Sequence, residues 1–193
     1  MVDFLKKDIE IYKKATENYC PERINYLFIL ESPPYPKDEV ISFFYLVNAP
    51  SRNDTLFKLF MRALYNIKYY KGDDKNAFLN RFKNDKYYLI DAVEYLINKD
   101  IYGNKLEDDE NIRKLEIRKN KEKLLENLNK LKNRNIITRS TKIIIIKKSV
   151  FQELYSFLKI EGFNIINKEK VNYPNRYDYS FKKNIRKLVY AKN

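Results

Sequence analysis

The 193-residue chain contains no histidine and only one cysteine, Cys20. The first absence removes histidine general-base catalysis, the serine triad built on histidine and most zinc sites. The second rules out an internal disulfide and a CxxC metal site and fits a reducing compartment. A cytoplasmic location is expected, with no metal or other cofactor. Long apolar runs are also missing. The longest fall far short of a membrane span, and acids by Asp3 and Asp8 speak against a secretion signal at Met1. Internal repeats and low-complexity linkers are absent too, so residues 1–193 read as a single domain with a charged helical insertion at 99–133. Any enzyme chemistry must come from Asp, Glu, Tyr, Lys, Arg or Ser.

What is present bounds the answer from the other side. Hydrophobic residues make up 44% of the chain and aromatics 15%, enough for a core without staples. The net charge is +13. Such a surplus on a small domain points to a polyanionic partner, most often nucleic acid. The competing reading is a lysine-rich composition with no functional meaning, since acids are also plentiful.

The periodicity predicts strands alternating with helices. Residues 2–18 form an amphipathic helix, with Phe4, Leu5, Ile9, Tyr12 and Ala15 near helical spacing. Ile24 to Leu30 is an unbroken apolar strand. A second apolar run spans Val40 to Val47, and Pro50 to Asn53 reads as a loop. Asp54 caps a helix carrying Phe57, Phe60 and Leu64. Tyr87 to Ile90 is the second core strand and Thr141 to Ile146 the third, whose four consecutive isoleucines suit burial on both faces. Between them, 99–133 carries a narrow stripe (Ile112, Leu115, Leu124, Leu125, Leu128 and Leu131) on an otherwise solvated helical stretch. Phe163 to Ile166 is a fourth strand, and Tyr179 to Tyr190 a closing basic helix. The expectation is an α/β fold: a three-layer α/β/α sandwich around a mostly parallel four-stranded sheet.

One stretch stands out. Glu31-Ser32-Pro33-Pro34-Tyr35 follows the first strand directly. Proline fixes φ, lacks an N–H and biases the residue before it to extended geometry, so Glu31 and Ser32 sit on a stiff turn. In open α/β sheets ligands bind beyond the carboxyl ends of the strands, which is where this acid falls.

Leu30-Glu31-Ser32-Pro33-Pro34 resembles the first motif of the uracil-DNA glycosylase superfamily, which takes forms such as Gly-Gln-Asp-Pro-Tyr or Gly-Glu-Ala-Pro-Gly. The likeness extends over most of the chain. Phe43-Phe44-Tyr45 falls where the family places its base-stacking aromatic. Tyr88-Leu89-Ile90-Asp91-Ala92-Val93 is similar to the Leu-Leu-Asn-(Thr/Ala)-Val strand, with Asp91 in place of the base-reading Asn. Lys147-Lys148-Ser149 matches a strand-to-helix turn that approaches the DNA backbone. Tyr173-Pro174-Asn175-Arg176 resembles the last motif, often His-Pro-Ser-Pro, whose loop enters the minor groove. The chain departs from the pattern at two further functional positions: Tyr173 replaces the usual His, and Ser32 replaces the Asp of one branch. The branch with Glu at the first motif often holds an iron–sulfur cluster, which one cysteine cannot ligate.

The resemblance implies a divergent DNA glycosylase that flips a base out of the stack and hydrolyses its bond to the sugar. Glu31 and Asp91 would be catalytic. Ser32, Pro33, Phe44, Tyr45 and Tyr173 would bind substrate, and Lys147, Lys148, Ser149, Asn175 and Arg176 would hold nucleic acid. Each residue also has a plainer reading. Glu31 can cap the Pro-Pro turn, and Phe44 and Tyr45 can be core. Asp91 can sit in a salt bridge. Ser149 can be an ordinary helix cap beside two solvated lysines, and Asn175-Arg176 can be a surface loop. Two other functions stand beside the enzyme: a nucleic-acid-binding protein without hydrolysis, and a binder of free nucleotides.

Overall fold

The computed structural model describes residues 2–34, 43–48, 54–70, 72–97, 109–173 and 179–190. The elements run α1 (Val2–Asn18), β1 (Tyr26–Leu30), α2 (Thr55–Tyr65), α3 (Lys75–Asn84), β2 (Tyr87–Asp91), α4 (Glu110–Asn133), β3 (Lys142–Ile145), α5 (Lys148–Ile160) and α6 (Tyr179–Tyr190). The protein is α/β, with the three strands in one parallel sheet of order β2-β1-β3. Among the described residues, no helix is long and apolar enough to cross a membrane.

β1 is central and pairs in parallel on both sides: Phe28 lies opposite Leu89 on β2 and Ile144 on β3. Leu27 to Leu30, on both faces of this strand, are all buried, which is why its sequence is apolar without alternation. Phe28 meets Phe60 of α2 edge-on at 5.0 Å and Phe82 of α3 at 6.2 Å. Phe60 in turn meets Phe181 of α6 at 5.3 Å. One aromatic cluster therefore binds three helices to the sheet. α4 and α5 pack on each other, fastened at the surface where Arg118 donates two hydrogen bonds to Glu153, at 2.9 and 3.0 Å.

Two expectations are corrected here. The fourth strand is not formed as a strand: among the described residues it is reduced to single bridges, Ile143 with Ile165 and Ile146 with Val171. Between them the side chain of Asn167 takes the place of backbone. Its Oδ1 accepts from the Ile145 N–H at 3.0 Å and its Nδ2 donates to the Ile145 carbonyl at 3.1 Å. A side-chain amide offers the same donor and acceptor as a peptide, so the edge of β3 is satisfied without a regular ladder. The apolar stripe of the 99–133 segment is also shifted. Within α4 it is Ile117, Leu124 and Leu128 that are buried, while Ile112 and Leu115 are exposed; residues 99–108 lie outside the described residues.

Candidate functional site

Because the strands are parallel, β1, β2 and β3 all end at the same edge. Glu31 follows β1, Asp91 is the last residue of β2, and Lys147 lies two residues past β3. Backbone bonds hold these ends together: the Ala92 N–H donates to the Leu30 carbonyl and the Val93 N–H to the Glu31 carbonyl, both at 2.9 Å. The chain leaves β1 for β2 on one side and later returns to β3 on the other. The crevice between β1 and β3 is thus a topological switch point, the usual place for a ligand in such sheets.

Glu31 is buried, 5% exposed, and both its carboxylate oxygens are engaged. Oε2 receives hydrogen bonds from Lys147 Nζ at 2.5 Å and from Arg113, and Oε1 accepts from Ser149 Oγ at 2.7 Å. Two cations and a hydroxyl fix its position. Ser149 does not cap α5, because that position belongs to Lys147, which makes no side-chain cap bond. Lys147 adopts φ +82°, a conformation that non-glycine residues avoid and that costs about 1–3 kcal/mol. Three contacts hold it there: its N–H donates to the Val171 carbonyl at 2.7 Å, its carbonyl accepts from Phe151 at 3.0 Å, and its ammonium binds Glu31.

Asp91 is the opposite case. Its half-buried side chain has no hydrogen bond or ion pair among the described residues. Burial, and then the negative charge of Glu31, raise its carboxyl from the ordinary 3.8 to about 7. An acid poised there holds or releases a proton at neutral pH, the condition for general acid–base work. Tyr173 belongs to the same cluster. Its ring centroid lies 5.9 Å from Lys147 Nζ. Although the residue is 48% exposed, burial and then the charges of Asp91 and Glu31 push its hydroxyl up to about 12. Lys148 is half-exposed, with Nζ 3.5 Å from Glu110 Oε1 on α4. Ser32 is half-buried and Pro33 buried in the turn after Glu31.

The structure therefore brings together Glu31, Asp91, Lys147, Ser149 and Tyr173. It does not bring Phe44 or Tyr45. Both are core, 2% and 1% exposed. The Tyr45 hydroxyl accepts from the Leu89 N–H at 2.8 Å and donates to the Leu89 carbonyl at 3.2 Å. β2 is an edge strand, and Tyr45 covers that edge, so neither ring offers a face to a ligand. Asn175 and Arg176 lie outside the described residues, as do Tyr35 and Pro174. Arg113 was not singled out from the sequence: it comes from the charged helix α4 and reaches Glu31 across 82 residues. The only sequence signal for it is an arginine near the start of a helix that otherwise reads as solvated. Among the described residues, no group of three or more His, Cys, Asp or Glu side chains could hold a metal ion.

Comparison with protein-family models, with curated proteins and with solved structures finds no match to this chain.

Proposed function

We propose that the strand-end cluster hydrolyses the base–sugar N-glycosidic bond of a flipped nucleotide in DNA. The observation that carries the reading is the pairing of an unpartnered acid, Asp91, raised to about 7, with a carboxylate, Glu31, clamped by two cations and a hydroxyl. Asp91 accepts the proton of the attacking water while the water oxygen joins C1′. The C1′–N bond breaks, and its electron pair leaves with the base. Glu31 supplies fixed negative charge close to the sugar as positive charge develops on it. Lys147 and Lys148 flank the β3–α5 turn and suit a phosphate. The Tyr173 ring replaces the buried Phe44 and Tyr45 as the aromatic beside the substrate. The motif likeness to uracil-DNA glycosylases fits this assignment. The net charge of +13 suits a DNA partner.

The test is a panel of oligonucleotides carrying uracil, hypoxanthine, xanthine and modified cytosines, scored for alkali-labile abasic sites. Activity on at least one of them is expected, reduced by about 100-fold or more in Glu31→Gln and in Asp91→Asn. A second reading, nucleic-acid binding without hydrolysis, is favoured by the saturation of Glu31, whose three donors leave little room for a reacting group. Salt-sensitive DNA binding with no base loss from any oligonucleotide would select it.

A further inference from the structure

A groove of about 380 Å³ opens beside the cluster, between the loop after β2 and helix α4. That volume falls at the small end of the range for ligand sites. Ala92 and Leu124 give it apolar walls, and Asp91, Tyr95, Asn120 and Asn127 add polar groups. Lys123 stands on its rim, exposed. Residues 113, 120, 124 and 127 are spaced to share one face of α4, so the helix that sends Arg113 to Glu31 also builds the groove wall.

The polar groups are arranged with one bias. Asn120 Nδ2 donates to the Tyr95 hydroxyl at 2.8 Å and to the Glu116 carbonyl at 2.9 Å. Asn127 Nδ2 donates to Glu94 Oε1 at 2.7 Å. The Tyr95 hydroxyl gives its proton to Glu116 Oε2 at 2.5 Å. Both amide protons of Asn120 and the phenol are thus occupied, one amide proton of Asn127 is open, and the Oδ1 atoms of Asn120 and Asn127 and the Asp91 carboxylate have no hydrogen-bond partner among the described residues. The groove presents more open acceptors than donors, the donors being Lys123 and the second amide proton of Asn127.

Resting on the nucleotide reading above, we infer that this groove seats the heterocycle of the substrate and selects rings bearing an exocyclic amine, cytosine- or adenine-like, over keto rings. An amino group donates to the Asn120 and Asn127 amide oxygens, which leaves Asp91 to the water. Lys123 supplies the one donor that a ring carbonyl or ring nitrogen needs. A keto ring such as uracil offers these acceptors only its single ring N–H and sets a carbonyl oxygen against the rest, and an unmet acceptor in a confined site lowers affinity.

The experiment is an amide-detected NMR titration of the 15N-labelled chain with cytidine, adenosine, uridine and thymidine in turn. The side-chain amides of Asn120 and Asn127 shift with cytidine or adenosine, and the dissociation constant is about tenfold tighter than for uridine, about 1.4 kcal/mol. Asn127→Trp, which fills the groove from its rim, weakens that binding by about tenfold. Equal binding of uridine, shifts confined to the Lys147 turn, or no shifts with any nucleoside would overturn the inference. The outcome is separable from that of the hydrolytic reading. Base excision by Asn127→Trp at the wild-type rate removes the groove and leaves hydrolysis standing. Cytidine or adenosine shifts at Asn120 and Asn127 without base loss from any oligonucleotide keep the groove and remove hydrolysis.

Discussion

The protein buries acid in two places and treats it differently. Asp54, at the start of α2, faces Lys75, at the start of α3, across 2.6 Å, and both side chains are almost wholly enclosed, 2% and 1% exposed. Lys75 also donates to the Phe43 carbonyl at 3.2 Å and lies 4.8 Å from the centre of the Phe57 ring. This pair is a closed knot tying two helix starts to the aromatic run of 43–45. At the strand ends Glu31 is equally well held, but half-buried Asp91 beside it has no cation among the described residues. Burial lifts Asp54 to about 6 against the opposing pull of Lys75, and it lifts Asp91 to about 7 with Glu31 pushing the same way. A buried carboxylate with a counter-charge is architecture. One without a partner weakens the fold, and such weakness concentrates where function requires it.

The largest effect should come from breaking the closed pair. Lys75→Met leaves Asp54 as an uncompensated charge in a dry site and removes the donor to Phe43. We expect a loss of about 3–5 kcal/mol in urea denaturation followed by far-UV circular dichroism. The double variant Asp54→Leu/Lys75→Met, which removes both charges, should recover most of that loss, because a buried pair contributes little beyond an apolar replacement of similar volume. If the single variant unfolds at the wild-type urea concentration, the pair is not structural and the contrast with Asp91 collapses.

Asp91→Asn should act in the opposite direction. The folded protein binds the Asp91 proton more tightly than the unfolded chain does. Its contribution therefore favours folding below the ordinary value of 3.8 and is lost as pH rises to about 7. Above that pH the charged side chain costs the fold on the order of 2–4 kcal/mol. The asparagine variant should be more stable than wild type at pH 8, by about 2 kcal/mol, and indistinguishable near pH 4. Asp54 has the same sign but a lower window, ending at about 6. The stability difference between pH 6 and pH 8 that vanishes in Asp91→Asn is therefore specific to the strand ends. A variant less stable than wild type at pH 8 would mean that Asp91 has a partner in solution and belongs with the architecture.

Much of this layout was legible in the sequence. Three strands read correctly because unbroken runs such as Tyr26 to Leu30 and Ile143 to Ile146 have no other stable place than between neighbours. The acid after β1 and the acid ending β2 followed from those strand ends. Three features were not legible, each for a physical reason. The fourth strand is replaced by the Asn167 side chain, and composition does not distinguish a peptide group from an amide that mimics one. Tyr45 covers an edge strand, and period counting cannot separate an aromatic on an edge from one in a pocket. Arg113 meets Glu31 only because α4 lies against the strand ends, a tertiary fact that leaves no local pattern.

The smallest effect sharpens the comparison most. Lys147 combines a strained backbone, φ +82°, with a charge on Glu31, whereas neither member of the closed pair has positive φ. Lys147→Gly removes the strain, worth about 1–3 kcal/mol, and at the same time removes one of the three donors to Glu31, worth about 1.5–3 kcal/mol as a charged hydrogen bond. The two terms have opposite signs and similar size, so the urea midpoint should move by less than about 1 kcal/mol equivalent. If the proposed DNA binding holds, that affinity should fall and its dependence on salt should become shallower by about one phosphate contact. Unchanged stability with altered salt dependence would mean that the strain is kept in order to hold a cation at the strand ends. Lys147→Ala separates the terms, since it loses the same donor without relieving the backbone and should be less stable than the glycine variant by about 1 kcal/mol or more. If alanine and glycine are equally stable, the unusual backbone at residue 147 costs the protein nothing, and the strand-end turn is no more specialised than the start of any other helix in the chain.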